Sequence, residues 1–494
     1  MNKFKITLVL FTITLSTSLC FSQGIQKNVE FDYNLVDIIQ LAKSQSPAWL
    51  QAETRKENRY WQFRTFKSNY NPQLQLQGRL PDFQRRFTPV TQPDGSIEFR
   101  SVSNNNSNLS MRLIQNISTT GARVFINSNV ARFDDFDQDL SRYNGSPISI
   151  GLEQPIFQFN NLAWDKKIEP LRYEESQKGY FEELEQIAID ATQQYFALLL
   201  AQINVEMAKK NQANNDTIYK IAQGRYQLGK IGENDLLQLE ANLINSTLDV
   251  AQAQLDLETS SLNLKSYVGL SDTGNISLSL PAEIPQFPVD TEKALFEANK
   301  NRVDPVSFSR RLLQGDREIA QARGDNGVNL DLLATFGLNN SGGEFGDIYR
   351  DPNNQQTVSL NLTVPILDWG RQKSRIKTAE ANQQLIQYQI NQEKVNFEQE
   401  VMTHVKRFDM LREQVKVRRK SDDIESRKYE ISKQLFLIGK IDITTLNIAL
   451  RDKDSAKRNY ITSLKDFWEA YFTLRKLTLY DFERGDLLLK ELNK

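Results

Sequence analysis

The chain has 494 residues, of which 39% are hydrophobic and 25% are charged, and its formal net charge is -1. This composition is that of a folded protein, and the charge balance gives no reason to expect nucleic acid as a partner. Because Cys20 is the only cysteine and His404 the only histidine, a Cys/His metal site and a cysteine nucleophile are excluded.

The N-terminus has the pattern of a secretory signal peptide, residues 1–22. Two lysines precede an apolar run at residues 6–15, and small residues around Cys20 offer a cleavage site before Gln23. Lipidation of Cys20 is an open alternative. No later segment reaches the ~18 apolar residues of a membrane-spanning helix, so the exported chain could enter a membrane only as a β-barrel.

The first half of the mature chain alternates helical and strand patterns. Helical spacing of apolar residues predicts helices at 34–46, 47–69, 161 to about 228 and 231–268. Alternation of period two predicts strands at 73–78 and 148–155 and a hairpin of 108–117 with 122–130. Residues 79–106 and 134–145 have the composition of polar loops, the first with a turn at Pro93-Asp94-Gly95.

The helix at 231–268 carries its apolar residues on one face. These are Leu237, Ala241, Ile244, Leu248, Ala251 and Leu255. A stripe of this spacing predicts a helix that packs along a partner.

After a proline-rich linker at 274–290 the same order of elements begins again. The predicted elements are helices at 291–299 and 305–323, strands at 329–338 and 358–364 around a loop at 341–354, a long helix at 371–438 and a last helix at 442–477. The long helix contains no glycine or proline, and at ~1.5 Å per residue it would form a rod of roughly 100 Å. Charged residues along the whole rod exclude a membrane span.

The two halves match at one constant offset. Residue 148 corresponds to 358, Pro155 to Pro365 and Gly229 to Gly439, and each difference is 210. A shared offset for strand, Pro-Ile step, rod and Gly-Lys-Ile turn predicts an internal two-fold repeat, with a first unit at 23–289 and a second at 290–494.

The predicted strands have apolar faces but are too few to close a wide barrel in one copy. The sheet would keep an unpaired edge, and unpaired backbone groups are not stable in lipid. The strands are therefore expected to be shared between subunits. Three copies of about four strands would give about twelve, within the range of outer-membrane barrels. The hairpin at 108–130 would raise the number to about eighteen or would lie outside the membrane. The rods would bundle into a hollow cylinder below the barrel.

With these features the mature chain resembles the TolC-like outer membrane efflux proteins (outer membrane factors). The resemblance depends on the duplicated strand, Pro-Ile step and rod, and on the Gly-Lys-Ile turns. It implies a homotrimer in outer membrane lipid that docks to a periplasmic adaptor (membrane fusion) protein and an inner-membrane transporter. The implied docking tip consists of the two turns, Gly229, Lys230, Ile231, Gly439, Lys440 and Ile441.

The resemblance also implies an entrance constriction at Asp235, Thr445 and Ile448. Family members with an aspartate ring carry acids at the last two positions, whereas this chain has a threonine and an isoleucine. Phe436 and Ile441 stand where the family has a locking tyrosine and arginine, so apolar contacts are expected to close the tip. Pro155 and Pro365 are expected to mark the junction between barrel and helices.

The sequence therefore predicts an α+β membrane protein, a trimeric outer-membrane β-barrel continued by a long α-helical periplasmic tunnel. The function that the resemblance implies is the passive exit duct of a tripartite efflux or type I secretion system, for small molecules or proteins. The alternative is a periplasmic coiled-coil scaffold or adaptor protein. No catalytic constellation stands out, so no enzyme activity, cofactor or metal is expected.

Overall fold

The computed structural model describes residues 30–270, 274–281 and 283–489. The predicted signal peptide, with Cys20, lies outside these residues. The described part consists of long helices that stand on one end of an antiparallel sheet.

The helices of the first half are α1 (Leu35–Gln45), α2 (Pro47–Ser68), α3 (Asn161–Gln227) and α4 (Glu233–Val268). Those of the second half are α5 (Thr291–Asn301), α6 (Val303–Gly324), α7 (Arg371–Leu437) and α8 (Ile443–Thr478). The eight predicted helices are thus confirmed. Their lengths in order are 11, 22, 67 and 36 residues in each half.

The strands are β1 (Glu30–Tyr33), β2 (Gln73–Arg79), β3 (Phe83–Thr91), β4 (Ile97–Asn116), β5 (Arg123–Asp135), β6 (Leu140–Ile156), β7 (Asn275–Leu278), β8 (Asn329–Gly342), β9 (Asn353–Thr363), β10 (Tyr480–Asp481) and β11 (Asp486–Leu487). The main sheet has the order β2-β4-β5-β6-β8-β9, and β3 also pairs with β4. All of its pairs are antiparallel.

β4 is long enough to pair with two strands one after the other. Its residues 108–114 face β2, and its residues 97–105 face β3. β2 and β3 therefore share one strand position, and the sheet is six strands wide in the described chain.

Three predictions about the strands are wrong. Residues 79–106 are not a loop, since they form β3 and the first half of β4 around a turn in which Gln92 N–H donates to the Ser96 carbonyl. Residues 134–145 are mostly strand, and the linker at 274–290 contains β7, which pairs in parallel with β1. The place of the hairpin at 108–130, which the sequence left open, is between β2 and β6, so the sheet of one copy has six strand positions.

The four long helices lie side by side. α3 packs against α4 and α8, and α8 packs against α7, so the lateral order is α4-α3-α8-α7. Apolar residues at helical spacing on α7 form part of the core, with Phe397, Val401, Val405, Phe408 and Leu411 all buried. The main core joins these residues to the inner faces of α3 and α8 and to α1 and α5.

A buried ionic network holds α1, α3 and α8 together. Glu185 on α3 accepts from the Lys43 ammonium at 2.6 Å and from Arg475 Nε at 3.0 Å. Arg475 Nη1 also donates to Asp481 at 2.8 Å. Only 4% of the Glu185 side chain is exposed. A buried carboxylate needs such partners, so the network fixes how the short helix α1 packs against the long helices α3 and α8.

Candidate functional site

The tip of the molecule is formed by two helix ends with the same backbone geometry. At the first, Gly229 has φ +64° and the N–H groups of Gly229 and Lys230 donate to the carbonyls of Tyr226 and Arg225, both at 2.8 Å. At the second, Gly439 has φ +74°, and Gly439 and Lys440 donate to Phe436 and Leu435, both at 2.9 Å. Both are Schellman ends, whose left-handed residue favours glycine.

A cleft of about 400 Å³ lies between the two turns. Of the residues predicted to form the docking tip and entrance, Lys230, Ile231, Asp235, Gly439 and Ile441 line it. Gly229, Lys440, Thr445 and Ile448 are not among its lining residues, and all four are exposed. The structure thus brings about half of the predicted site together in one cleft and leaves the other half on the surface of the tip.

The Arg225 side chain joins the two turns, and sequence reasoning missed it. Its guanidinium donates from Nη1 to the Phe436 carbonyl at 3.3 Å and from Nη2 to the Leu437 carbonyl. These carbonyls belong to the last turn of α7, where backbone acceptors lack the N–H groups of a further turn. The Phe436 carbonyl also accepts from the Gly439 N–H. Since α3 ends beside α7, the cation faces the negative ends of two helix dipoles. The sequence shows only a basic residue in the last turn of α3, a common feature that gives no partner.

The return helices start differently in the two halves. α8 is capped by Asp442, whose Oδ1 accepts from the Thr445 N–H at 2.7 Å. Hydrogen bonds from the Thr445 hydroxyl and N–H hold the pKa of the Asp442 carboxyl below its usual value. α4 begins at Gly232, which offers no side-chain cap, and places Asp235 in its first turn. Thr445 therefore serves the cap of α8, a role that the sequence comparison with an entrance aspartate did not indicate.

The tip has its own small hydrophobic core. It contains Ile218 and Ala222 of α3, Leu239 of α4, Tyr429 of α7, and Ile443, Leu446 and Ala449 of α8. Phe436 packs against this core, and both Phe436 and Ile441 line the cleft. Burial raises the pKa of Tyr429 to about 12, so its phenol stays neutral. Apolar packing within one copy therefore holds the four helix ends together.

Replacing Arg225 with methionine is expected to loosen the end of α7. Hydrogen bonds from a charged donor contribute roughly 1.5–3 kcal/mol each, and half-burial of Arg225 places the loss at the lower end of that range. Amide hydrogen exchange at residues 434–441 should become faster. Lys220→Met, which removes an exposed i,i+4 pair on the same helix, is the control. Equal exchange at the tip in both variants would contradict the role given to Arg225.

The main sheet has one apolar and one polar face. Across β8 and β9, Leu330 pairs with Leu362, Leu332 with Leu360 and Ala334 with Val358. The intervening residues are polar, as with Thr335 opposite Thr357, except for Leu333 opposite Ser359. The predicted alternation is therefore confirmed, and the apolar face is open to the surroundings, since Val358 is 77% exposed.

The sheet meets the helices at two junctions. Pro155 is the second-last residue of β6, opposite Asp331 of β8. Asn160 then caps α3 by accepting from Ala163 N–H at 3.1 Å, and its Nδ2 donates to the Ser118 carbonyl in the turn of the β4–β5 hairpin at 2.9 Å. Pro365 follows β9 in a connection that leaves Ile366 95% exposed and Trp369 90% exposed. Both prolines thus lie where strand gives way to helix.

Within the described ranges, no helix is both long enough and apolar enough to span a bilayer. The same residues hold no group of three or more metal-ligating side chains.

Comparison with known proteins gives a family and a fold. The chain matches the family model of the outer membrane efflux proteins over residues 38–270 and 300–478. No curated protein matches it. The structure is similar to that of the CmeC outer membrane channel of Campylobacter jejuni, with a TM-score of 0.66 and 18% identity over 93% of this chain and 88% of that one.

Two further channels have the same fold. They are the outer membrane protein VceC of Vibrio cholerae (TM-score 0.60, 12% identity, 91% of this chain and 96% of that one) and the open state of the MtrE outer membrane channel of Neisseria gonorrhoeae (0.59, 15%, 90% and 88%). The family match covers most of the chain and confirms the predicted family and location. The chain therefore belongs to the outer membrane efflux protein family, as a transport component of the outer membrane with a helical extension in the periplasm and not as an enzyme.

Proposed function

We propose that three copies of the chain form a passive conduit, the outer membrane exit duct of a tripartite efflux or type I secretion system. One observation carries the proposal: among the described residues, a single copy leaves both lateral edges of its sheet and both lateral edges of its helical layer open, and all four edges are apolar. The resemblance to TolC-like proteins sets the number of copies at three.

The open sheet edges belong to β2 with β3 and to β9. In the described chain β2 and β9 each have one hydrogen-bonded neighbour. Leu74 and Leu76 at one edge and Leu360 and Leu362 at the other are mostly exposed. Unpaired backbone groups do not persist in lipid. Pairing β9 of one copy with β2 of the next continues the antiparallel alternation and closes the sheet around a lumen.

The open edges of the helical layer are α4 and α7. On α4 the exposed apolar residues are Leu237, Ile244, Leu248, Leu255 and Leu262. On α7 and its C-cap residue Ile438 they are Leu385, Tyr388, Val395, Met402, Met410, Val417, Ile424, Ile431 and Ile438. Most steps are seven residues, the repeat of a coiled-coil seam. We call these two surfaces the α4 stripe and the α7 stripe. The α4 stripe of one copy would pack against the α7 stripe of the next.

A seam of α4 on α7 joins unlike surfaces. Such a heterologous contact closes into a ring when the rotation per copy divides a full turn. Three copies then contribute twelve long helices to one cylinder, which extends roughly 100 Å from the sheet at ~1.5 Å per residue.

The two halves of each copy are proposed to be repeats, 23–289 and 290–494. The equal lengths of the paired helices, up to 67 residues for α3 and α7, support this division. A quasi-symmetric pair of units also explains why the same Schellman end occurs twice at the tip.

The tip is proposed to dock the periplasmic adaptor, which links the duct to an inner-membrane transporter. The exposed turns support this, since Gly229, Lys230, Gly439 and Lys440 are all at the far end from the sheet and open to solvent. Asp235, Thr445 and Ile448, one turn further up, are proposed to line the entrance. The cleft between the turns offers an adaptor both apolar walls and the charges of Arg225 and Asp442.

A periplasmic scaffold is the alternative function, and the sheet argues against it. A head domain in water would have to cover an apolar face on which Leu74, Phe336 and Val358 are each more than half exposed. Contiguous apolar surface of this kind marks a contact with lipid or protein.

The proposed function is tested on the native protein. We expect it in the outer membrane fraction, with the mass of a trimer in detergent, a steady conductance in a planar bilayer, and co-purification of an adaptor. A monomer or dimer in the soluble periplasmic fraction, with no conductance, would contradict the proposal.

A further inference from the structure

We infer that the membrane pore of this protein has six strands from each copy, eighteen in all, and therefore a wider lumen than a pore of four strands per copy. The inference rests on the proposed trimeric conduit and deepens it by naming the size of the cargo. The main observation is that the hairpin of β4 and β5 is part of the sheet that would form the barrel wall.

The hairpin is paired on both sides at full length. β4 has β2 as its other neighbour and β5 has β6, so the hairpin occupies two strand positions between β2 and β6. One unbroken row of Cα partners crosses the whole sheet: Gln75, Arg112, Asn127, Ser149, Gly337 and Gln355. All six strands therefore stand at the same height above the helices.

The hairpin also has the same two faces as the strands beside it. The next row of partners consists of Leu74, Leu113, Ile126, Ile150, Phe336 and Gln356. Ile126 of the hairpin is 38% exposed and Ile150 of β6 is 48% exposed, on one continuous apolar face. A hairpin outside the membrane would have no need of apolar residues on this face, whereas a barrel strand alternates apolar-out and polar-in.

The turn of the hairpin is fixed to the start of the long helix. Besides the contact of Asn160 with Ser118, the Gln154 side chain donates from Nε2 to the Thr120 carbonyl at 3.0 Å. The turn therefore lies at the junction, where β6 becomes α3. β4 and β5 rise from that level and cross the full height of the sheet.

The first half of β4 continues past the sheet on the side away from the helices. It pairs there only with β3 and with the end of β5, and Phe87 and Phe99 are exposed. A membrane-spanning strand needs ~9–11 residues, so the 20 residues of β4 are long enough to cross the membrane and to extend beyond it.

Eighteen strands match the girth of the helical tunnel. At ~4.8 Å per strand and a tilt of ~40°, eighteen strands give a circumference of about 110 Å. Twelve helices spaced ~9–10 Å apart give about the same. Barrels of 16–18 strands leave an aqueous channel. The polar face supplies amide and hydroxyl groups such as Gln75, Asn127 and Thr357, so the lumen suits large, polar cargo, polypeptide included.

The test begins with an image of the wild-type trimer in lipid by electron cryomicroscopy. We expect eighteen strands around one lumen. A conducting trimer with twelve strands, and with residues 108–130 outside the wall, would overturn the inference and leave the proposed function intact. Failure to find an outer-membrane trimer that conducts would overturn both.

A deletion variant gives a second readout. Asn105 and Asp134 are Cα partners, so excising residues 106–133 joins two neighbouring positions and leaves four strands per copy. Because lumen area scales with the square of strand number, we expect single-channel conductance to fall about twofold and small neutral polymers to be excluded. The control excises residues 88–100, between the partners Phe87 and Ser101 outside the sheet, and should keep wild-type conductance. Equal conductance of both variants would overturn the inference.

Discussion

Replacing Arg475 with methionine should lower the free energy of unfolding by about 3–5 kcal/mol, the usual cost of leaving a buried charge without its partner. Arg475 donates to Glu185 from Nε at 3.0 Å and to Asp481 from Nη1 at 2.8 Å. Both carboxylates are nearly inaccessible to water, with 4% of each side chain exposed. After the substitution Glu185 retains Lys43, while Asp481 loses its ion pair.

The effect should be measured by denaturant titration in detergent, with helical circular dichroism as the signal. Arg55→Met is the matched control, because Arg55 pairs with Glu183 on the same helix as Glu185 but in an exposed position. Exposed pairs contribute ~0–1 kcal/mol. If the two variants lose the same stability, the buried network does not hold the short helices in place.

Replacing Ile424 with glutamate in the α7 stripe should abolish the trimer. Ile424 is 52% exposed in a single copy, and the proposed ring would bury it against α4 of the next copy. An unpaired buried carboxylate costs several kcal/mol, and each ring contains that cost three times. We expect light scattering in detergent to report the mass of a monomer.

Asp423→Lys is the control for this variant. Asp423 immediately precedes Ile424 on α7 and is exposed, but its side chain points about 100° away from the α7 stripe. It changes the charge by more than Ile424→Glu does, so a general charge effect would be larger in the control. A trimer that survives Ile424→Glu, or that is lost equally in both variants, would contradict the seam between α4 and α7.

The α4 and α7 stripes show what the spacing of apolar residues can predict. The apolar face predicted for 231–268 exists, yet Leu237, Ile244 and Leu248 are exposed in a single copy. Spacing shows that a face needs a partner, and it does not show whether that partner is in the same chain. The buried face of α7, with Phe408 at its centre, has the same spacing, and its partner lies in the same copy.

The strands show where periodicity fails. β8 and β9 were predicted because one face is apolar and the other polar. β3 and the first half of β4 carry a few apolar residues such as Phe87 and Phe99, but the run Ser101–Asn108 is polar on both faces except for Val102, and so has the composition of a loop. β1 and β7 are short and pair across more than 200 residues of chain, a contact that no local pattern encodes.

The candidate site was predicted in outline only. The glycines at 229 and 439 follow from the need for a left-handed residue at a helix end. The link from Arg225 to the α7 carbonyls joins residues more than 200 positions apart, and its chemistry is that of an ordinary basic residue near a helix C-terminus. Such a contact can be identified only once the two helices are known to end side by side.

The most direct test of the account is disulfide cross-linking between the α4 and α7 stripes. Leu248 lies 15 positions above the start of α4 at Glu233, and Ile424 lies 13 positions above the end of α7 at Leu437. The two residues are therefore at nearly the same height above the tip, and the proposed seam would bring them together, as a disulfide requires. Cys20, the only native cysteine, lies in the predicted signal peptide, so any cross-link would come from the two introduced cysteines.

The double variant Leu248→Cys with Ile424→Cys, oxidised in the outer membrane, should give a covalent trimer in a denaturing gel, and neither single variant should cross-link. A product that stops at dimers, or dimers from a single-cysteine variant, would mean that like surfaces meet, and would contradict a closed ring of three copies.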